Sequence, residues 1–342
     1  MKVGVLTGGG DCPGLNAVIQ AVVLRASQYG FEVVGIRNGY EGLIEGEAER
    51  LTPNDVRGIL QIGGTVLGTS RKNPVKTEDT LRKVLDNIEK LQLDALITIG
   101  GDDTLGAAQK LYENGVPVVG VPKTIDNDLS ATDYSIGFWT AVDVIADALE
   151  RLHTTARSHR RVMIVEIFGR YAGWLAMMGG LAGGAHVILI PEKPFTIEEI
   201  CEVIKKREES GEHYTLIAVA EGVKLPEIGE AVAAKEKDEY GHVRLGGIAK
   251  LLEQEIKKRT GKDVRSVILG HIQRGGSPNA YDRVLGIRLG IKAVDLVKEK
   301  KFGYAAVLRG TEVVPVKLSE VVGKMKSVPE EFFEYTSFFS EQ

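Results

Sequence analysis

Residues Ala95–Asp128 read ALITIGGDDTLGAAQKLYENGVPVVGVPKTIDND. An apolar run, Ala95–Ile99, ends in Gly100-Gly101-Asp102-Asp103. A helical stretch follows near 104–114. A second apolar run, Val116–Val121, then ends in Pro122-Lys123-Thr124-Ile125-Asp126-Asn127-Asp128. Short apolar runs without alternation suit strands buried on both faces, as in a parallel sheet. Pro117 stands near the start of its run, where a strand best tolerates a missing N–H.

The same alternation extends over the chain. Further apolar runs are Val3–Leu6, Val33–Ile36, Val162–Val165, His186–Ile190, Leu216–Ala220 and Val267–Leu269. Helices are expected near 14–28, 77–91, 196–210, 246–260 and 279–299. Ala141, Val144, Ile145, Ala148, Leu149 and Leu152 fall at i, i+3, i+4, i+7, i+8 and i+11, the apolar stripe of another helix. Strands alternating with helices indicate an α/β fold with mostly parallel sheets. There are too many strands for one compact sheet, and 342 residues correspond to about two domains.

Composition narrows the classes of function. With 43% hydrophobic and 26% charged residues the chain is not disordered. No apolar run approaches the ~20 residues of a membrane span. The N-terminus, MKVGVLTGGG, reads as a strand and a turn and lacks a signal-peptide core, so a cytoplasmic protein is expected. A net charge of −4 without a basic face argues against nucleic acid. Cys12 and Cys201 form neither a disulfide framework nor a metal-ligand spacing. Glycine is more informative. Its 41 copies, about 12% against an average near 7%, cluster after the apolar runs, at strand ends. The polar stretch 222–245, with Lys235–Glu239, reads as a surface excursion. Phe332, Phe333, Phe338 and Phe339 near the C-terminus are expected to pack on their own domain, an oligomer contact being the alternative.

Ligands of open α/β sheets bind at the carboxyl ends of strands, and the polar motifs stand there. Gly8-Gly9-Gly10-Asp11-Cys12-Pro13-Gly14 joins the first strand to a helix. It suits an anion held by backbone N–H groups, or simply a tight turn. Neither GxGxxG nor a Walker A loop is present. Asp102 and Asp103 beside two glycines suit a Mg²⁺ site facing phosphate, although an aspartate there also caps a helix. The Lys123–Asp128 loop offers a cation for phosphate and carboxylates able to take a proton from a hydroxyl. Arg265, His271 and Arg274 stand about the run Val267–Leu269, with Arg161 and Arg170 about another. Arginines so placed suit a phosphomonoester, bound bidentately. His186 and His242 read as structural or exposed. Together these features indicate phosphoryl transfer to a phosphorylated metabolite.

The motifs resemble those of the 6-phosphofructokinase family. TGGGDCPGLN, GGTVLGTSR, GGDDT, PKTIDND, FGRYAGW, AEG and LGHIQRGGSP occur in order, from Met1 to about residue 310. The resemblance implies two Rossmann-like three-layer α/β domains with mostly parallel sheets and the active site in their cleft. Residues 1–137 with about 252–305 would form the phosphoryl-donor domain. Residues 138–251 with about 306–325 would form the sugar-phosphate domain, and 326–342 a C-terminal tail. By motif position Gly10 would contact the donor, Asp102 would hold Mg²⁺, and Asp126 would be the base on the 1-hydroxyl of fructose 6-phosphate. Arg71 and Thr124 would position the reacting phosphoryl group. Thr124, Ile125, Asp126, Arg161, the Phe168-Gly169-Arg170 turn, Glu221, Arg265, His271 and Arg274 would form the sugar-phosphate site. The residues matching Arg161 and Arg265 reach in from a neighbouring subunit in this family, which implies a homo-oligomer, dimer or tetramer.

ATP-using bacterial members carry glycine at the positions of Asp103 and Lys123. The Asp103–Lys123 pairing instead resembles the pyrophosphate-dependent branch. A carboxylate at 103 crowds and repels the α-phosphate of ATP, and Lys123 supplies a cation for the transition state of pyrophosphate. Lys123 therefore joins Asp126 and Arg71 among the expected catalytic residues, and Gly10, Asp103 and Lys123 define the donor side. The expected reaction is a reversible phosphoryl transfer from pyrophosphate to fructose 6-phosphate. An ATP-dependent 6-phosphofructokinase is the first alternative and a non-catalytic sugar-phosphate-binding subunit the second. At positions matching a basic effector site in allosteric members this chain has Gln20, Leu24, Pro53, His153 and Glu212, which implies little response to anionic effectors.

Overall fold

A computed structural model describes residues 1–225 and 247–340. The stretch 222–245 therefore lies almost wholly outside the described residues, as does His242. In chain order the strands are β1 (Lys2–Thr7), β2 (Glu32–Ile36), β3 (Ala48–Leu51), β4 (Ala95–Gly100), β5 (Val118–Pro122), β6 (Val162–Ile167), β7 (Val187–Leu189), β8 (Thr215–Ala220), β9 (Val264–Ile268), β10 (Tyr304–Arg309) and β11 (Glu312–Lys317). The helices are α1 (Leu15–Gln28), α2 (Tyr40–Glu45), α3 (Glu78–Lys90), α4 (Asp102–Glu113), α5 (Phe138–His159), α6 (Trp174–Ala182), α7 (Ile197–Glu209), α8 (Ile248–Thr260), α9 (Ala280–Lys298) and α10 (Leu318–Val321). Two 3₁₀ segments, Gly270–Arg274 and Glu330–Ser337, complete the described set.

The chain divides into two compact units. The first comprises Met1–Ile125, Leu129–Thr140 and Arg274–Met325, and the second Asp126–Asp128, Ala141–Gln273 and Lys326–Gln342. This division departs from the boundaries set from the sequence. Residues 252–273 fall in the second unit because β9 hydrogen-bonds to β6. Residues 306–325 fall in the first because β10 pairs with β5 and β11 with β10.

The first unit holds a seven-stranded sheet in the order β11-β10-β5-β4-β1-β2-β3. Its five inner strands are parallel, and β3 and β11 add antiparallel edges. Leu6, Val34, Leu96, Val118 and Val307 form one core with α2, α3, α4 and α10. Helices α1 and α9 pack on each other, and α9 lies along β4, β5 and β10. Burial on both faces explains why β4 and β5 read as continuous apolar runs. β11 escapes sequence reading because Pro315 interrupts it, and an edge position is where a strand accepts proline.

The second unit holds a four-stranded parallel sheet in the order β7-β8-β6-β9. Helix α8 packs on β6 and β9, and α6 on β7 and β8. The C-terminal segment packs on this unit. The Phe332 ring meets Trp174 with centroids 5.5 Å apart, the Trp174 indole donates to Lys326 O at 2.8 Å, and Arg207 donates to Phe339 O at 3.1 Å. The strand expected at Val267–Leu269 is instead Val264–Ile268, an edge strand only partly buried. Arg265 consequently lies inside the strand rather than flanking it. His186 is buried and structural. Its Nδ1 accepts the Leu216 amide at 2.9 Å, and burial pushes its pKa down to about 3, so it stays neutral.

Candidate functional site

Strands β5, β4 and β1 are parallel neighbours, so the loops after them stand side by side. The Gly8–Gly14, Gly100–Asp103 and Lys123–Asp128 motifs are therefore brought to one sheet edge. The Gly8 amide donates to Ile99 O at 2.9 Å, and the Lys123 amide to Gly100 O at 2.9 Å. Lys123 is only 3% exposed. Its ammonium donates to Gly8 O at 2.9 Å and also to Gly10 O. A buried cation thus braces the glycine loop from beneath. Asp102 and Asp103 form the first turn of α4, where the helix dipole favours a carboxylate. Asp102 is exposed, and its Oδ1 accepts the Gly323 amide at 2.8 Å.

Helix α1 starts at Gly14, whose φ of 106° is left-handed, and no side chain caps its first turn. Such a helix start offers amides to an anion. The segment before Arg71 is fastened to this loop. Thr69 Oγ1 donates to Gly9 O at 2.7 Å, the Gly9 amide to Ser70 O at 3.0 Å, and Thr7 Oγ1 to Gly68 O at 2.8 Å. Arg71, the next residue, is exposed beside it. Arg274 stands in this unit too. Its guanidinium donates to Asp11 O at 3.3 Å and lies over Gly10. Thr124 O accepts from Ser135 at 2.6 Å, and Ile125 is fully buried. Cys12 is buried in the same loop, and burial pushes its thiol up to about 12, so it supplies no thiolate.

The second unit gathers a different set. Asp126 and Arg170 both lie close enough to Glu221 to act on its carboxyl. Burial, reinforced by the Asp126 carboxylate and opposed by Arg170, pushes Glu221 up to about 7. Arg170 and Glu221 follow β6 and β8, and His271 follows β9, so all three stand at the carboxyl ends of neighbouring strands. The loops are pressed together. The Gly222 amide donates to Gly169 O at 3.0 Å, and a Cβ on Gly222 would lie 1.9 Å from Arg170 O. Phe168 meets the His271 ring edge-on, and its amide donates to the buried Gln273 side chain at 3.2 Å.

Arg161 and Arg265 are not part of this group. Arg161 precedes β6, and Arg265 is the second residue of β9. Both stand near the amino ends of strands whose carboxyl ends carry Arg170 and His271. A six-residue strand separates those ends by roughly 20 Å.

Among the described residues, no group of three or more His, Cys, Asp or Glu side chains gathers as a metal cage. None of the described helices is long and apolar enough to cross a membrane. The phosphofructokinase family model matches residues 2–297. The chain belongs to the phosphofructokinase family. It is 53% identical over 341 residues, 99% of both chains, to a pyrophosphate--fructose 6-phosphate 1-phosphotransferase of Amycolatopsis methanolica. An ATP-dependent 6-phosphofructokinase 3 of Streptomyces coelicolor is 49% identical over 96% of this chain and 97% of its own. Among solved structures, Pichia pastoris phosphofructokinase in the T-state matches with a TM-score of 0.83 and 32% identity. That match covers 94% of this chain and 37% of the Pichia chain.

Three further residues carry no role in the sequence reading but tie segments of the second unit to one another. Gln273 joins the Phe168 turn to the His271 segment. Glu166, buried in β6, accepts the amides of Gly247 and Ala249 and so fixes the start of α8. Asp263 contacts both Arg161 and Arg265. Gln273 lies within the LGHIQRGGSP motif, but an uncharged side chain among Arg and His carries little chemical signal. Glu166 is tied to residues about 80 positions away, and Asp263 to Arg161 about 100 positions away as well as to nearby Arg265.

Proposed function

We propose that this chain transfers a phosphoryl group from pyrophosphate to the 1-hydroxyl of fructose 6-phosphate, reversibly, giving fructose 1,6-bisphosphate and phosphate. The observation that carries the reading is Lys123, a buried cation against the Gly8 and Gly10 carbonyls. It stands beside the α4 start that presents Asp103. On this reading the first unit takes the donor. The glycine loop and α1 hold its phosphates, Arg71 and Thr124 orient the group being moved, and Lys123 stabilises its growing charge. Asp103 excludes the α-phosphate of ATP. The second unit takes the sugar phosphate, through Arg170, Glu221, His271 and the Phe168-Gly169 turn. Asp126 removes the proton of the 1-hydroxyl. Arg274 is assigned to the same substrate by its place in the LGHIQRGGSP motif.

Asp102 fits Mg²⁺ of the kind held by one carboxylate together with waters and substrate phosphates. Its exposure at the start of α4 suits that mode. When bound, the ion would neutralise phosphate charge.

The working form is a homo-oligomer in the cytoplasm. Arg161 and Arg265 stand too far along their strands to serve a sugar phosphate held by Arg170 of the same chain. They serve a partner's instead. Exposed Ile268, at the end of edge strand β9, and exposed Ile272, in the 3₁₀ segment after it, supply an apolar surface for that contact.

The test is turnover of fructose 6-phosphate with pyrophosphate and with ATP at saturating Mg²⁺. Pyrophosphate is expected to be far the better donor. Preference for ATP would overturn the donor assignment, and no turnover with either would favour a binding role.

A further inference from the structure

We infer that Asp263 is a positioning residue that locks Arg161 and Arg265 into one two-guanidinium receptor for the 6-phosphate of the partner subunit's sugar. The inference rests on the proposed sharing of those arginines between subunits.

The register of the parallel pair β6–β9 sets Val162 beside Val264 and Met163 beside Arg265. Arg161 and Asp263 are therefore lateral neighbours at the two strand starts, where the Val162 amide donates to Asp263 O at 3.0 Å. Asp263 and Arg265 are two residues apart along an extended chain, so their side chains share a face. One carboxylate bridges both cations. Its Oδ2 lies 2.9 Å from Arg161 Nη2, and its Oδ1 lies 3.2 Å from Arg265 Nε.

Two features distinguish this arrangement from an incidental surface bridge. Arg161 Nε is buried and meets no acceptor among the described residues. Buried donors are nearly always satisfied, so this one points to an acceptor that arrives with a ligand. Charge is the second feature. Two guanidiniums side by side repel, and one carboxylate can hold them together while leaving net positive charge and several N–H groups. A phosphomonoester, with about −1.5 to −2 charges and three acceptor oxygens, complements that remainder. As a stabilising device the bridges count for little. The Arg265 side chain is 54% exposed and that of Asp263 38%, and bridges so exposed are weak.

The experiment uses full-length enzyme carrying Asp263→Asn, Asp263→Ala or Asp263→Glu, with Arg161→Ala and Arg265→Ala as references. KM for fructose 6-phosphate, KM for pyrophosphate and kcat are measured, with mass by light scattering. Both arginine variants should raise the fructose 6-phosphate KM. Asp263→Asn and Asp263→Ala should raise it about tenfold, the equivalent of about 1.4 kcal/mol. The pyrophosphate KM and kcat should stay within about twofold and the mass should not change. Asp263→Glu should recover part of the loss. If the arginine variants leave the sugar KM unchanged, the sharing of those arginines is wrong. If they raise it while Asp263→Asn leaves it unchanged or lowers it, sharing stands and the positioning role of Asp263 is overturned. Dissociation of the Asp263→Asn oligomer would also overturn that role, in favour of an interface contact.

Discussion

Replacing Lys123 separates the chemistry of the donor from the family to which the chain belongs. The ammonium is almost wholly removed from solvent and held on two loop carbonyls. A charge so placed needs no reorganisation when charge develops on the transferring group, and low local dielectric strengthens its effect. If it acts as an oxyanion-type donor, its loss costs about 2.7–4 kcal/mol, or about 10²–10³-fold in kcat. Lys123→Gly also deletes the brace under Gly8 and Gly10, where each charge-assisted hydrogen bond is worth about 1.5–3 kcal/mol. Lys123→Met fills the space without the charge and isolates the electrostatic part. Both variants should lose pyrophosphate turnover by about 10²-fold or more, and neither should gain ATP use while Asp103 remains. Asp103→Gly should admit ATP and still use pyrophosphate. The double variant should lean weakly toward ATP, and the two effects should not add because the sites are neighbours. The assay is kcat/KM for both donors across the wild type and these variants, with melting curves as a control for folding. Intact pyrophosphate turnover in a folded Lys123→Met enzyme would refute this reasoning.

Asp126→Asn or Asp126→Ser should retain fructose 6-phosphate binding by titration while losing about 10²–10⁴-fold in kcat. Near-normal turnover would remove Asp126 as the base. Gly222→Ala forces a methyl onto Arg170 O; it should destabilise by about 1–3 kcal/mol in denaturant unfolding and raise the fructose 6-phosphate KM. A wild-type midpoint and KM would contradict the close packing. Glu221 titrates near 7 in the folded chain but near its ordinary 4.5 when unfolded. The folded state therefore binds the extra proton between those values, and stability falls as pH rises through that window. Glu221→Gln should accordingly gain stability over wild type at pH 8 and less at pH 5, by melting temperature. An equal difference at both values would sink the assignment.

The sequence determined the βαβ grammar of the chain and the loops that carry its chemistry. Runs such as Ala95–Ile99 and Leu216–Ala220 are buried on both faces, and their composition is a local property that needs no partner to be read. The motif loops were legible for a related reason. A plain turn after a strand asks only for glycine, whereas a phosphate and its counter-ion also ask for a cation and a carboxylate, and Gly100–Asp128 holds all three at strand ends. Tertiary structure alone decided the rest. Helix α6 carries Gly179 and Gly180, poor helix formers, yet a Cβ at Gly179 would lie 2.4 Å from Ile145, so packing overrides propensity there. Residues 252–273 and 306–325 took the opposite units from those expected, because strand pairing joins segments without regard to sequence distance. The same holds for the charged groups. Arg161 and Arg170 look equivalent as residues flanking one apolar run, but a strand has two ends roughly 20 Å apart. Composition does not record which end faces the ligand, and only the register of β6 against β9 put Asp263 beside both arginines.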